Sequence, residues 1–222
     1  MARKILPLFL VLALSPSLLS AQSLLFKIGG GLSSHYGKDK SIGAYKIGVG
    51  YEWEFNQKWT FTPVLEVYGK GWKDRDTRVF VTDDSGNRVT DPATGEEKIG
   101  VMSRSATANY IELPLLFSYY VRTGEGRYIV FSAGPYLAYG LTGRQKTKGD
   151  AVQTGSEKLF YEKNTFRQSG AHRFDAGVQT MAGYQFPSSL ILGIEADWGV
   201  TKFNTAGKRN VSALISLSYK LR

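Results

Sequence analysis

From Val211 to Leu221 the chain alternates. Val211, Ala213, Ile215, Leu217, Tyr219 and Leu221 are apolar, and Ser212, Ser216, Ser218 and Lys220 between them are small or polar. A period of two belongs to a β-strand whose two faces meet different surroundings. Runs of this kind recur along the chain, at 23–34, 42–55, 58–72, 103–121, 127–142, 171–186, 189–201 and 209–221. Each is long enough for the roughly 9–11 residues that a tilted membrane strand needs. No helical period separates them. The pattern predicts an all-β fold: an eight-stranded antiparallel up-and-down transmembrane β-barrel.

The connections support that topology. Asn56-Gln57, 122–126 and Pro187-Ser188 are short; 35–41 and 202–208 are intermediate; 73–102 and 143–170 are long. Short periplasmic turns alternating with longer extracellular loops are the asymmetry of outer-membrane barrels. Within 73–102, Val79-Phe80-Val81 and Arg88-Val89 flank Asp84-Ser85-Gly86-Asn87, which predicts a hairpin above the barrel. The stretch 143–170 is polar and basic and reads as a loop.

The mean hydropathy of −0.21 is too polar for a helical membrane protein, but a barrel can carry it because half of each strand faces a polar lumen. There is no cysteine, which excludes a lipoprotein anchor, a disulfide framework and a thiol nucleophile. At the N-terminus, Arg3 and Lys4 precede the apolar Ile5–Leu14, and Leu19-Ser20-Ala21 ends in a small residue. This predicts a signal peptide over 1–21, cleaved before Gln22, and a single barrel domain over 22–222. The formal charge is +9. Export makes nucleic acid a poor partner for it and phosphate-rich glycolipid a better one.

One parity of each strand is lipid-compatible, for example Tyr45, Ile47, Val49, Tyr51, Trp53 and Phe55, or Leu190, Leu192, Ile194, Ala196 and Trp198. Tyr51, Trp53, Phe55, Trp59, Tyr184 and Phe186 lie near short turns and are expected in a periplasmic aromatic girdle. The other parity collects charge: Lys27, Lys46, Glu52, Glu54, Glu66, Lys70, Arg104, Glu112, Arg173, Asp175, Glu195, Asp197 and Lys220. The sharp reading of these carboxylates is an ion path or a catalytic pair. Both signs share the face, so the favoured expectation is a lumen plugged by salt bridges, a structural network.

Other chemistry is thinly represented. His35 and His172, near Ser33, Ser34 and Ser169, raise a Ser–His hydrolase of outer-leaflet lipid, although serine near histidine is common in polar loops. Asp74, Asp76, Asp83, Asp84 and Asn87 lack the spacing of a calcium loop. Two histidines without cysteine do not make a zinc site. No catalytic, cofactor-binding or metal residue is assigned. Lys146, Lys148, Lys202 and Lys208, in the predicted outer loops, are the candidate contacts to anionic glycolipid.

Three stretches carry a resemblance: Asn109-Tyr110-Ile111-Glu112-Leu113-Pro114-Leu115-Leu116, Ser132-Ala133-Gly134-Pro135-Tyr136-Leu137-Ala138-Tyr139-Gly140, and Phe174-Asp175-Ala176-Gly177. They resemble successive strands of the outer-membrane β-barrel domain family, the type labelled porin-family protein. The resemblance implies an eight-stranded barrel in a Gram-negative outer membrane, inserted by the barrel-assembly machinery. It implies no defined transport activity. Family members commonly end in an aromatic residue, whereas this chain ends Tyr219-Lys220-Leu221-Arg222, which shifts or weakens the assembly signal.

The resulting expectation is a monomeric, non-enzymatic barrel with a structural or surface-interaction role, no wide pore, and outer-membrane lipid and lipopolysaccharide as partners. Two alternatives remain open at this point: a small-solute channel or hydrophobic-ligand-binding barrel, and a soluble periplasmic lipocalin-like barrel. The last shows the same alternation with its faces reversed.

Overall fold

The computed structural model describes residues 22–37, 39–83, 85–149, 159–167 and 170–221. The predicted signal peptide lies outside the described residues. Ten strands form one sheet: β1 (Gln22–His35), β2 (Ile42–Glu54), β3 (Trp59–Lys73), β4 (Thr77–Phe80), β5 (Ile99–Gly124), β6 (Arg127–Gly149), β7 (Leu159–Asn164), β8 (Phe174–Gln185), β9 (Leu190–Gly199) and β10 (Asn210–Leu221). Eight of them close a ring in the order β5-β3-β2-β1-β10-β9-β8-β6, with β6 returning to β5. β1 pairs with β10 from Leu24↔Leu221 to His35↔Asn210, so the barrel has no free edge. All pairings are antiparallel.

The two extra strands stand above the ring. β5 runs 26 residues, a few beyond each end predicted from sequence, and β6 runs 23, reaching Gly149 where the predicted strand stopped at 142. Their outer halves pair from Asn109↔Thr142 to Met102↔Gly149. β4 joins the free edge of β5, and β7 joins that of β6. The predicted loop 143–170 is therefore in large part strand. Its polar residues hid this, because strand residues above a membrane need no apolar face. The predicted hairpin is present, with Val89 N donating to Val81 O (2.9 Å) across a turn closed by Asp83 N to Asn87 O (2.8 Å).

The parity of the faces separates membrane barrel from soluble barrel. Outside, Ile47 is 59% exposed and Ile194 68%, whereas inside, Lys46 and Glu66 are 0% exposed. The soluble lipocalin-like alternative required the reverse and is overturned. Hydrocarbon is the solvent in which an apolar outer wall is stable, and charge on that wall is what it rejects. At the short-turn end the aromatics cluster: Tyr51 with Trp53 (4.9 Å between centroids), Trp59 with Tyr119 (4.8 Å) and Tyr184 with Phe186 (4.9 Å).

The orientation predicts a depth-dependent response. Ile194→Lys, at mid-height of β9, should cost about 2–4 kcal/mol of folding free energy in lipid vesicles, and Val200→Lys, just past the strand's outer end, only about 0–1 kcal/mol. Denaturant titration of both variants checks this, and equal costs would contradict the assigned outer face.

Candidate functional site

The strand pleat sends alternate side chains of all eight ring strands into one narrow lumen. There the lysines Lys27, Lys46, Lys70 and Lys220 meet the carboxylates Glu52, Glu66, Glu112, Asp175, Glu195 and Asp197, all buried. Lys46 is the hub. Its Nζ lies 3.1 Å from Asp197, 3.3 Å from Glu66, 3.4 Å from Glu195 and 3.8 Å from Glu112. Lys70 bridges Glu112 (2.7 Å) and Asp175 (3.1 Å), and Lys27 bridges Glu66 (2.8 Å) and Glu195 (2.9 Å). At the periplasmic end Lys220 Nζ donates to Glu52 and to the Tyr120 hydroxyl, each at 2.6 Å.

Neutral groups finish the network. Gln179 Nε2 donates to Glu195 (2.7 Å), Asn210 Nδ2 to Asp175 (2.9 Å) and Ser212 Oγ to Asp197 (3.1 Å). Tyr68 in turn donates to Ser212. The ammoniums of Lys46 and Lys70 lie over the Tyr68 ring at 4.4 and 4.6 Å, and Lys70 also lies over Tyr136 at 4.5 Å. The Glu66 and Glu112 oxygens accept no well-directed hydrogen bond and depend on ammonium charge alone. A cavity of about 30 Å³ lies toward the periplasmic half, between Lys27, Glu52, Tyr120 and Glu195. That is room for about one water molecule.

An aromatic lid covers the network on the extracellular side. Trp72, Phe166 and Phe203 are buried together with Tyr110 and Tyr136. Phe166 sits in a short 3-10 helix, Thr165–Arg167, that follows β7. Thr165 Oγ1 donates to Thr107 O (2.7 Å), and a Cβ at Gly140 would lie 2.2 Å from the Phe166 ring, so glycine there makes the seat. Phe203, on the loop after β9, is held by the segment before β8, where His172 N donates to Phe203 O (2.8 Å). His35 stacks on Trp72 (4.1 Å).

A polar clamp sits beside the lid. Lys208 Nζ lies 2.7 Å from Asp39 and 2.9 Å from Asp74, and His35 Nδ1–H donates to Asp39 (2.9 Å). One ammonium thus ties the loops after β1, β3 and β9 together. Burial works to raise the Asp39 carboxyl, but the hydrogen bonds from Lys208 and His35 outweigh it and hold its pKa below the usual value. Burial works to lower the Lys208 ammonium, and its bonds to Asp39 and Asp74 hold it above the usual value.

Not every predicted residue joins these sites. Glu54 is exposed at the periplasmic mouth, and the Arg104 side chain is 45% exposed, 3.9 Å from Asp74. Arg173 reaches the carbonyls of Gly140 (2.7 Å) and Leu141 (3.1 Å). These carbonyls lie where a bulge leaves Leu141 unpaired between Tyr110↔Gly140 and Asn109↔Thr142. All three share the inner parity, but parity carries no depth, and at a strand end the inner face opens to water. Of the candidate glycolipid contacts, Lys208 is already neutralised in the clamp, whereas Lys148 and Lys202 are exposed. The lumen tyrosines and the lid were missed. Tyr68, Tyr110 and Tyr136 were detectable by shared parity with the charges; Phe166 and Phe203 lie outside strands and have no periodic signal.

The hydrolase and calcium readings find no support. His35 Nε2 is buried with no hydrogen-bond partner among the described residues, so no hydroxyl is placed for it to activate, and Ser34 Oγ donates to Asp39 O instead (3.1 Å). Ser169 lies outside the described residues. Asp76 pairs with Lys40 (2.9 Å), and Asp83 accepts from Ser85 N (2.9 Å) and Asn87 N (2.8 Å). Asp84 lies outside the described residues.

Two outcomes follow. Lys46→Met leaves Glu66, Glu112, Glu195 and Asp197 facing one another, and should cost about 3–5 kcal/mol in a vesicle unfolding titration. For the clamp, Asp39 has a depressed pKa, so its stabilisation is present above the ordinary carboxylate value of about 4 and is lost as pH falls through the lower folded value. Proteolytic protection of the loops at 36–41 and 202–208 should accordingly hold from pH 5 to 8 and fail in stronger acid, with Asp39→Asn failing at every pH.

Comparison with known proteins completes the description. No curated protein sequence matches the chain. Among solved structures it is similar to the attachment invasion locus protein Ail of Yersinia pestis, at 11% identity and a TM-score of 0.39, over 90% of this chain and 97% of that one. It is similar to Neisserial surface protein A at 12% identity and a TM-score of 0.38, over 91% and 98%. The family profile of the outer membrane protein beta-barrel domain matches residues 20–204. With that match spanning most of a chain whose strands close an apolar-walled ring, the protein belongs to the outer membrane protein beta-barrel domain family.

Proposed function

We propose that this outer-membrane barrel is a non-conducting, non-enzymatic protein with a structural or surface-interaction role, and that the sheet β4-β5-β6-β7 is what it presents outside the cell. The observation that carries this reading is the filled lumen. Ion pairs link β2 to β3, β5 and β9 across the interior, and the rings of Trp72, Phe166 and Phe203 lie over them. A solute on that path would have to break buried ion pairs, each costly to leave half-made. A hydrophobic ligand would have to share the space with ammonium and carboxylate groups.

Export by a leader cleaved after Ala21 belongs to the same reading. The charged Arg3 and Lys4, the apolar Ile5–Leu14 and the small Ala21 before Gln22 support it. N-terminal sequencing of protein recovered from outer membranes should begin at Gln22.

The test of the main reading is conductance. Purified protein in planar bilayers should show no steady channel of porin size. The Phe166→Ala/Phe203→Ala variant should remain silent too, because the ion-paired layer lies beneath the lid. Steady channels in the unmodified protein would overturn the proposal. A small-solute channel would instead change its ion selectivity on Glu112→Gln or Asp175→Asn.

A further inference from the structure

On one stretch of wall the apolar belt ends in a polar recess. The outward positions Gly69 and Gly71 of β3 have no side chain. Tyr45 and Ile42 lean over them, so that a Cβ at either glycine would lie 2.2 Å from the covering side chain. Beside them β5 presents Ser105, Thr107 and Asn109. The bulge at Leu141 then decides what β6 contributes. With the parity of its lower half, β6 would turn Gly143 and Gln145 outward; the extra residue turns Thr142, Arg144 and Lys146 outward instead. Ile42, the β5 residues Ser105, Thr107 and Asn109, and Thr142, Arg144 and Lys146 of β6 line a cavity of about 600 Å³.

Asn109 organises its floor. Tyr45 Oη donates to Asn109 Oδ1 (3.1 Å), and Asn109 Nδ2 donates to Thr142 Oγ1 (3.1 Å). Directly below stand Val67, Ile111 and Tyr139, all exposed on the lipid-facing wall. The recess therefore opens sideways at the height where acyl chains give way to headgroups. Beside the apolar Ile42 and Ala106, its lining offers hydroxyls, a carboxamide, a guanidinium and an ammonium, which suit phosphate oxygens and sugar hydroxyls. Lys202 and Lys208, on the loop after β9, do not line it.

We infer that this recess binds the phosphorylated sugar headgroup of one outer-leaflet glycolipid, with Arg144 and Lys146 on phosphate and Thr107, Asn109 and Thr142 on the sugar. The inference rests on the outer-membrane orientation in the reading above, but not on whether the lumen conducts, so the bilayer recordings and the binding test fail separately.

The experiment uses the full barrel in nanodiscs doped with lipopolysaccharide or with phosphatidylglycerol, and reads retained lipid by native mass spectrometry. Heat-modifiable mobility verifies that each variant is folded. Lipopolysaccharide should be retained, and phosphatidylglycerol should not. Arg144→Gln/Lys146→Gln should weaken retention by about tenfold, the scale of one charge-assisted contact. Thr107→Trp, which fills the recess without changing charge, should weaken it comparably, and Ser105→Trp serves if that variant does not fold. Lys202→Gln should leave retention unchanged, and inorganic phosphate should not displace the glycolipid. An equal loss with Lys202→Gln, equal retention of phosphatidylglycerol, or no effect of a folded recess-filling variant would overturn the inference in favour of diffuse rim charge.

Discussion

The ammonium of Lys46, enclosed by carboxylates from three other strands, is the interaction on which the interior depends. The barrel must put one face of every strand into lipid, and the pleat then commits the opposite face to a lumen too narrow for bulk water. Charges placed there lose their hydration and are tolerated only when paired. Lys46 on β2 draws Glu66 on β3, Glu112 on β5 and Glu195 and Asp197 on β9 toward one point, tying β9 to strands with which it shares no backbone hydrogen bonds. Lys27 and Lys70 reuse Glu66, Glu195 and Glu112, so the pairs form a single cluster.

Ring positions around this cluster serve it in two ways. Tyr68 and Tyr136 lay aromatic faces against the ammoniums, which replaces some of the lost hydration. Glycines make space for them: a Cβ at Gly177 would lie 2.7 Å from the Tyr136 ring. Above, the lid joins residues far apart in sequence, from Trp72 through Phe203 (4.6 Å) to Phe166 (6.2 Å). The lid and the Lys208 clamp fasten the loops to the barrel, giving the tall β4-β5-β6-β7 sheet a fixed base.

The bulge at Leu141 connects several of these features. It frees the carbonyls that Arg173 takes up, and it reverses the outward parity of β6 above the membrane. One extra residue thus withdraws Arg173 from the lumen and aims Arg144 and Lys146 at the outer-leaflet boundary.

The sequence by itself determined the strands, their number in the ring and which parity would carry charge, because a membrane barrel imposes a strict period of two on every crossing segment. It also grouped Lys46, Glu66, Lys70, Glu112, Asp175, Glu195 and Asp197 on one charged parity. It did not determine depth. Glu54, Arg104 and Arg173 share the inner parity and lie outside the network, since alternation is the same at mid-height and at the rim. The outer end of β6 and the short β7 beside it were not legible, because above the membrane the outward face needs no apolar residues and the alternation fades. Which side was inside, which lysine met which carboxylate, and how Phe166 and Phe203 came to cover the lumen were decided only by closure of the ring and by register, because these contacts join residues separated by most of the chain.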